Sequence, residues 1–315
     1  MSSRQTLESL ILWHLQQLLK LEAQQTRLVL DIYRKQIPQL AATIALEPGD
    51  TIAYARMRVL LAQLEAGVKL LEEQVNRQLV IGVVKAQALS IEHAGDEVAF
   101  AEKLSMDFGR VDLGVKKAAL DVMLAPIINT EALVMVQQAS KLSTARWAAA
   151  EISTIQGVLQ RGILMSAHPK QIARDLERVL DPGTRDWEIT RIAQTEFWQG
   201  ANTAHRVSNE AISERYPELG LEHVWCSRLD SKVCPMCRRL DGLTVVPGDN
   251  FTDPAPDEGK AKPGGGWLRK PQLNVTWRNP PAHPWCRCRI ATWSSRWADV
   301  PELASLNPHE QQKAA

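Results

Sequence analysis

The chain has 315 residues, with 37 basic and 36 acidic side chains and a formal net charge of +1. This is long enough for two domains and a sizeable core, and the balanced charge excludes a global basic signal for nucleic acid or an anionic membrane. No apolar run approaches the roughly 18 residues of a membrane-spanning helix. The apolar patch at Leu10, Ile11, Leu12 and Trp13 is interrupted by His14 and Gln16, and no small-residue cleavage site follows, so it reads as helix and not as a signal peptide. The expected setting is the cytosol in which the chain is made, which favours reduced or metal-bound cysteines.

Before residue 180 the chain is rich in Leu, Ala, Gln and Glu; after 225 it is rich in Gly, Pro, Trp and Cys. The predicted class is α+β, with a mainly helical N-terminal two-thirds and a small Cys/His-stapled module of short strands at the C-terminus. Residues 1–142 form the first region. A helix is predicted over 7–36, with Ile11, Leu18, Leu21, Leu28 and Ile32 near heptad spacing, although His14 and Gln25 fall on the same stripe. Pro38 is expected to end it. A second helix is expected over 50–89, capped by Asp50 or Thr51, with Leu60, Leu64, Val68, Leu71, Val75 and Leu79 on its stripe. The pair reads as a hairpin packed on itself or as a stripe for docking on a larger assembly. A break is expected at 93–96, then helices over 97–104, 113–124 and 130–140, with a stop at Pro126.

The second region, 143–298, opens with a helix over 143–162 carrying Trp147, Ile152, Ile155, Val158 and Leu159, which Gly162 allows to end. Ser166 or His168 caps the next helix, whose Ile172, Leu176 and Val179 face inward. A turn is expected at 181–184, then a helix over 184–216 with Ile189, Ile192, Ala193, Phe197, Ala201, Ala204 and Val207 on one side. Arg191, Thr195 and Glu196 on that helix are read as structural polar residues that bind the loops of the Cys/His module.

Residues 221–298 hold all five cysteines. Strands are expected over 221–226, 243–246, 274–277 and 289–293, with a flexible loop over 253–270. Cys234 and Cys237 form a Cys-x-x-Cys pair, and His283, Cys286 and Cys288 a His-x-x-Cys-x-Cys cluster. Two residues between ligands let one tight turn aim both side chains at one point, and Pro235 suits a type I turn there. The expected ligands of a structural zinc are Cys234, Cys237, His283 and Cys286, with Cys288 as an alternate for His283 or Cys286. Such a small sheet buries little apolar area, and metal binding supplies folding free energy. A redox pair, a disulfide framework and unlinked buried cysteines are the other readings; the segment after Cys237 looks like a turn, which disfavours a thioredoxin-like helix start. Arg269, Lys270, Arg287 and Arg289, interleaved with tryptophans at 225, 267, 277, 285, 293 and 297, are possible nucleic-acid contacts, against the plainer reading of a tryptophan-filled core. A polar tail over 299–315 is expected to be disordered.

Four motifs in order carry a family resemblance. They are Arg191-Ile192-Ala193-Gln194-Thr195-Glu196, Val224-Trp225, Leu240-Asp241-Gly242 and the ending His283-Pro284-Trp285-Cys286-Arg287-Cys288. Together they resemble the C-terminal core of the phage Mu F-like minor head (phage head morphogenesis) family over about residues 150–295. The resemblance implies a non-enzymatic minor capsid protein of the virion, located in the capsid interior near the portal vertex and in the host cytoplasm during assembly. It further implies association with the phage portal protein and with the major capsid or scaffolding protein, action in procapsid assembly and in DNA packaging or ejection, possible contact with packaged DNA, and no requirement for a membrane. The alternatives are an ADP-ribosyltransferase- or nuclease-like enzyme using Arg191 and Glu196, and a zinc-dependent nucleic-acid-binding module. The resemblance implies that some relatives carry a toxin domain further along their chain; here a short polar tail is what is expected after Trp297.

Overall fold

The computed structural model describes residues 7–49, 52, 54–228, 233–253, 276–300 and 303. The elements are α1 (Leu7–Ala45), α2 (Tyr54–Asp107), α3 (Lys117–Leu124), α4 (Glu131–Leu164), α5 (Pro169–Val179), α6 (Pro182–Arg215), β1 (Leu221–Cys226), α7 (Pro235–Leu240), β2 (Thr244–Val245), β3 (Phe251–Thr252), β4 (Thr276–Trp277) and β5 (Arg289–Ser294). The α+β reading holds. The chain divides into two compact units, each gathered from separated stretches. The helical unit is Lys20–Val83 with Met135–Phe197; the mixed unit is Met1–Leu19, Val84–Val134 and Trp198–Ala315.

The helical unit has one apolar core. Leu60, Leu64, Val68, Leu71, Val75 and Leu79 are all buried in it, at the spacing that puts them on one face of α2. The α1 face they share the core with is Val29, Tyr33, Ile37, Leu40 and Ile44. Leu28, assigned to the stripe by heptad spacing, is exposed. Pro38 does not end α1, which continues to Ala45. A proline inside a helix costs about 3 kcal/mol, and burying Leu40 and Ile44 beyond it contributes about 1.5–3 kcal/mol each, so packing outweighs the break. The helices expected over 130–140 and 143–162 are one helix, α4. Gly162 does not terminate it; a Cβ there would lie 2.5 Å from Ile172 Cγ1, so glycine permits the close approach of α5. The turn expected at 181–184 is instead the first turn of α6, with Pro182 as the opening residue, where no N–H partner is lost. His168 caps α5, its ring accepting from Lys170 N at 3.2 Å. The caps expected at Asp50 and Thr51 lie outside the described residues.

In the mixed unit α2 runs straight through 93–96. Ala94, Val98 and Ala101 are fully buried there, and Gly95 lets Leu124 come within 3.3 Å of where a Cβ would stand. The three-stranded sheet is antiparallel, in the order β2-β1-β5, and β3 pairs with β4. The register sets Trp225 opposite Ile290 and His223 opposite Thr292. β1 has the expected bounds, whereas β3 was not anticipated. Gly242, at φ +74°, forms the turn into β2 and donates to Trp225 O at 2.7 Å. Residues 274–275, the expected loop after 253 and the tail from 304 lie outside the described residues, whereas Val300 and Leu303, inside the tail expected to be disordered, are buried in the core because they add apolar area to it. Trp293 and Trp297 stack edge-on in one core with Leu221 and Val224. A smaller core collects Trp225, Met236, Cys237, Leu240, Phe251, Cys286, Cys288 and Ile290. The tryptophan-filled core is therefore present at Trp225, Trp293 and Trp297; Trp267 is outside the described residues.

Candidate metal centre

The first arm of the site is a helix start, not the type I turn expected from Pro235. Cys234 is the N-cap of α7, its Sγ accepting from Cys237 N at 3.3 Å, and Pro235 occupies the first helical position. Met236, Cys237 and Leu240 bury one side of this short helix. The turn expected after Cys237 is instead helix as far as Leu240, so the Cys-x-x-Cys pair does stand at a helix start, and that ground against a redox pair is gone. Asp241 closes the arm by accepting from Ser227 N at 2.6 Å. The second arm turns between His283 and Cys286, with Cys286 N donating to His283 O at 3.1 Å. Trp285 within that turn has φ +66°, a left-handed conformation uncommon for a bulky side chain.

The arms converge. Cys234 Sγ lies 3.1 Å and Cys237 Sγ 3.3 Å from His283 Nε2, and Cys237 Sγ lies 3.6 Å from Cys286 Sγ. Two triads result, Cys234/Cys237/His283 and Cys237/Cys286/Cys288, each with donor atoms within 4.8 Å of one another, and Cys237 belongs to both. Ligands on a tetrahedral zinc sit at about 2.3 Å for sulfur and about 2.0–2.1 Å for nitrogen, which sets ligand–ligand separations of roughly 3.5–3.8 Å. The three contacts are near that spacing, and the donor set of thiols and one imidazole suits a soft divalent metal. His283 Nδ1 donates to Pro284 O at 2.7 Å, which leaves Nε2 facing the sulfurs. All five cysteines are free, and the Cys237–Cys286 separation far exceeds the roughly 2.05 Å of a disulfide bond. The residues present can hold a metal.

The electrostatics agree with a cation-seeking cluster. The hydrogen bond from Cys237 leads in holding the Cys234 thiol well below its usual range, and those from Cys237 and Cys288 do the same for Cys286. Cys237, bonded first to Cys234 and then to Cys286 and Cys288, is pushed well up. Burial pushes the His283 imidazole down, but Cys234 and the Pro284 carbonyl prevail and raise it to about 9. Thiolates gathered on shared protons are the state that a metal ion relieves, since binding displaces those protons.

The other expected site residues are placed differently. Glu196 accepts from Ser143 Oγ at 2.6 Å and Ser140 Oγ at 3.2 Å, both on α4. Arg191 pairs with Glu188 at 3.8 Å and lies over the Trp187 ring at 5.6 Å. These bonds of Glu196 and Arg191 are made within the helical unit, to which Thr195 also belongs, because the α4 serines face this part of α6. Arg287 is half-buried. Arg289 is half-buried and lines a small cavity of about 20 Å³ with His14, His93, Glu97, Asn202 and His205. Arg269 and Lys270 lie outside the described residues.

That cavity marks a polar cluster the sequence reading missed. His14 reaches Glu97 at 3.2 Å and Asp96 at 3.4 Å and stacks on His93 with ring centroids 3.8 Å apart. His205 Nε2 is 3.8 Å from Glu97 and 3.1 Å from Thr292 Oγ1. The volume holds about one water. Burial pushes the His14 imidazole down, yet Asp96 and Glu97 more than compensate and raise it. Burial, then His14, drives His93 down to about 3. The polar interruption of the α1 stripe at His14 was the available signal. Arg206, 1% exposed, was also missed; it binds Glu210 at 2.7 Å, Asp249 O at 2.7 Å and Arg278 O.

Residues 153–291 match the family model described as Phage Mu protein F like protein. The resemblance read from the four motifs holds over that span, which is less than half of the chain and includes both arms of the centre. Searches of the curated proteins and of the solved structures find no match.

Proposed function

We propose that this chain is a non-enzymatic minor head protein of a tailed phage or prophage, portal-associated and acting in procapsid assembly and in DNA packaging or delivery. In this reading Cys234, Cys237, His283 and Cys286 hold one structural zinc, with Cys288 as the alternate ligand. The observation that carries it is the family match over the stretch in which five thiol and imidazole donors converge from two arms. Zinc fits because thiolates with imidazole suit it and because five candidate donors are enough to close a tetrahedral shell without an open water position. When bound, the ion supplies cross-linking and no reaction. The chain's own residues do the rest. Cys234 and Cys237 are set by the start of α7, and His283 is oriented by its bond to Pro284 O. A small sheet stapled in this way keeps a fixed surface for a capsid or portal partner.

The test is metal analysis of the purified full chain together with co-purification against the portal protein. One zinc per chain and a portal complex lost in the Cys237→Ser variant support the reading. Absence of stoichiometric metal removes the zinc, and NAD or DNA turnover that depends on Glu196 replaces the structural role with an enzymatic one.

A further inference from the structure

We propose that Asn202 is a positioning residue for the second metal-binding arm, acting as a one-residue surrogate strand on the open edge of β5. The sheet order β2-β1-β5 leaves β5 at an edge. Trp225 N donates to Leu243 O at 2.9 Å and Trp225 O accepts from Gly242 N at 2.7 Å, so the polar backbone groups of Trp225 face β2. Its partner Ile290 is therefore in a non-hydrogen-bonded pair and turns its own N–H away from β1. Asn202, on α6 and 3% exposed, meets that edge. Its Oδ1 accepts from Ile290 N at 2.9 Å, and its Nδ2 donates to Cys288 O at 3.1 Å. A side-chain amide offers one acceptor and one donor in a plane, which is what a strand edge presents in reverse. The same α6 face continues to Thr292 through His205 at 3.1 Å and through Asn209.

The consequence is local. Cys288 and Ile290 are pinned on either side of Arg289, and Cys286 lies two residues upstream in the same turn. Outer residues that orient ligands typically alter metal affinity about 10–100-fold when removed. The inference rests on the metal reading given above, and its test separates the two. In the full chain, zinc affinity is measured by competition with a chromophoric chelator for the parent, Asn202→Ala and Asn209→Ala. Asn202→Ala is expected to weaken zinc about 10–100-fold and to shift the thiolate charge-transfer band of the cobalt-loaded chain. Asn209→Ala, which loses the Thr292 contact but none at Cys288, stays within about twofold of the parent on the same grounds. Equal losses in both variants, or no loss in Asn202→Ala, overturn the proposal. Should Asn202→Ala fail to fold, Asn202→Ser is read in its place. If the parent takes up no metal, the zinc reading falls, and alkylation of the metal-free chain decides the brace. Labelling of Cys286 and Cys288 about tenfold faster in Asn202→Ala, with Cys234 and Cys237 at the parental rate, upholds it; unchanged rates overturn it.

Discussion

The helical unit and the mixed unit solve the same problem with different chemistry. The first buries Leu60, Leu64, Val68 and Leu71 against Val29, Ile37 and Leu40, so its stability comes from apolar area. The second also buries His93, Glu97, His205, Arg206 and His223, polar groups whose burial is costly wherever a partner is missing. The difference teaches where each unit is fragile. Apolar packing degrades in proportion to the volume removed, whereas a matched polar set or a metal cluster fails when one member is lost.

The widest separation of the two units is expected from Cys237→Ser, which strikes both triads at once. Structural zinc sites contribute apparent binding energies of about 10–16 kcal/mol in small zinc-dependent peptides, so the variant should lose metal and the near-ultraviolet signal of the buried Trp225 and Trp293. Far-ultraviolet helicity should largely persist; its collapse in step with the tryptophan signal would erase the contrast. Next, Leu64→Ala in the helical unit should destabilise by about 2–5 kcal/mol in denaturant titration. Its loss should be the same with and without chelator, because no metal ligand lies in that core.

The pH dependence sharpens the contrast further. His93 and His223 are driven by burial from 6.5 to about 3, so the unfolded chain takes up their protons first as pH falls. Their stabilisation is complete above about pH 6.5 and is lost progressively toward pH 3, at up to about 1.4 kcal/mol per pH unit for each histidine. His93→Gln should flatten the acid limb of a plot of melting temperature against pH; an unchanged limb would show that His93 is not the group responsible. The smallest effect is Glu196→Gln, which weakens the bonds to Ser140 and Ser143 by about 1 kcal/mol and leaves metal content at the parental level. A loss of metal there would tie Glu196 to the module after all.

What the sequence revealed follows the same division. The α2 stripe from Leu60 to Leu79 was legible because helical periodicity alone decides which residues are buried. β1 was legible from alternation, and the two arms of the Cys/His cluster from the spacing of their residues. Pro38 and Gly95 misled because each is a local breaking signal overruled by long-range packing. α7 was hidden because six residues carry too little periodicity to reveal a helix. The cluster of His14, Glu97 and His205 draws on three helices distant in sequence, and no local pattern announces such a meeting. Glu196 was expected to bind the loops of the Cys/His module, and nothing in a linear motif points instead to Ser140 and Ser143.

The stretch that matches the Mu F-like family is not a cassette that can be lifted out. Leu7, Leu10, Ile11, Val98 and Ala101, all upstream of residue 153, share a core with Leu221, Val224, Ala291 and Trp293. Expressing 153–291 alone would strip the sheet of its apolar covering, and such a fragment should be sticky and poorly soluble even with its cysteines intact. Any transplant of this module into another scaffold has to carry the opening turns of the first helix along with it.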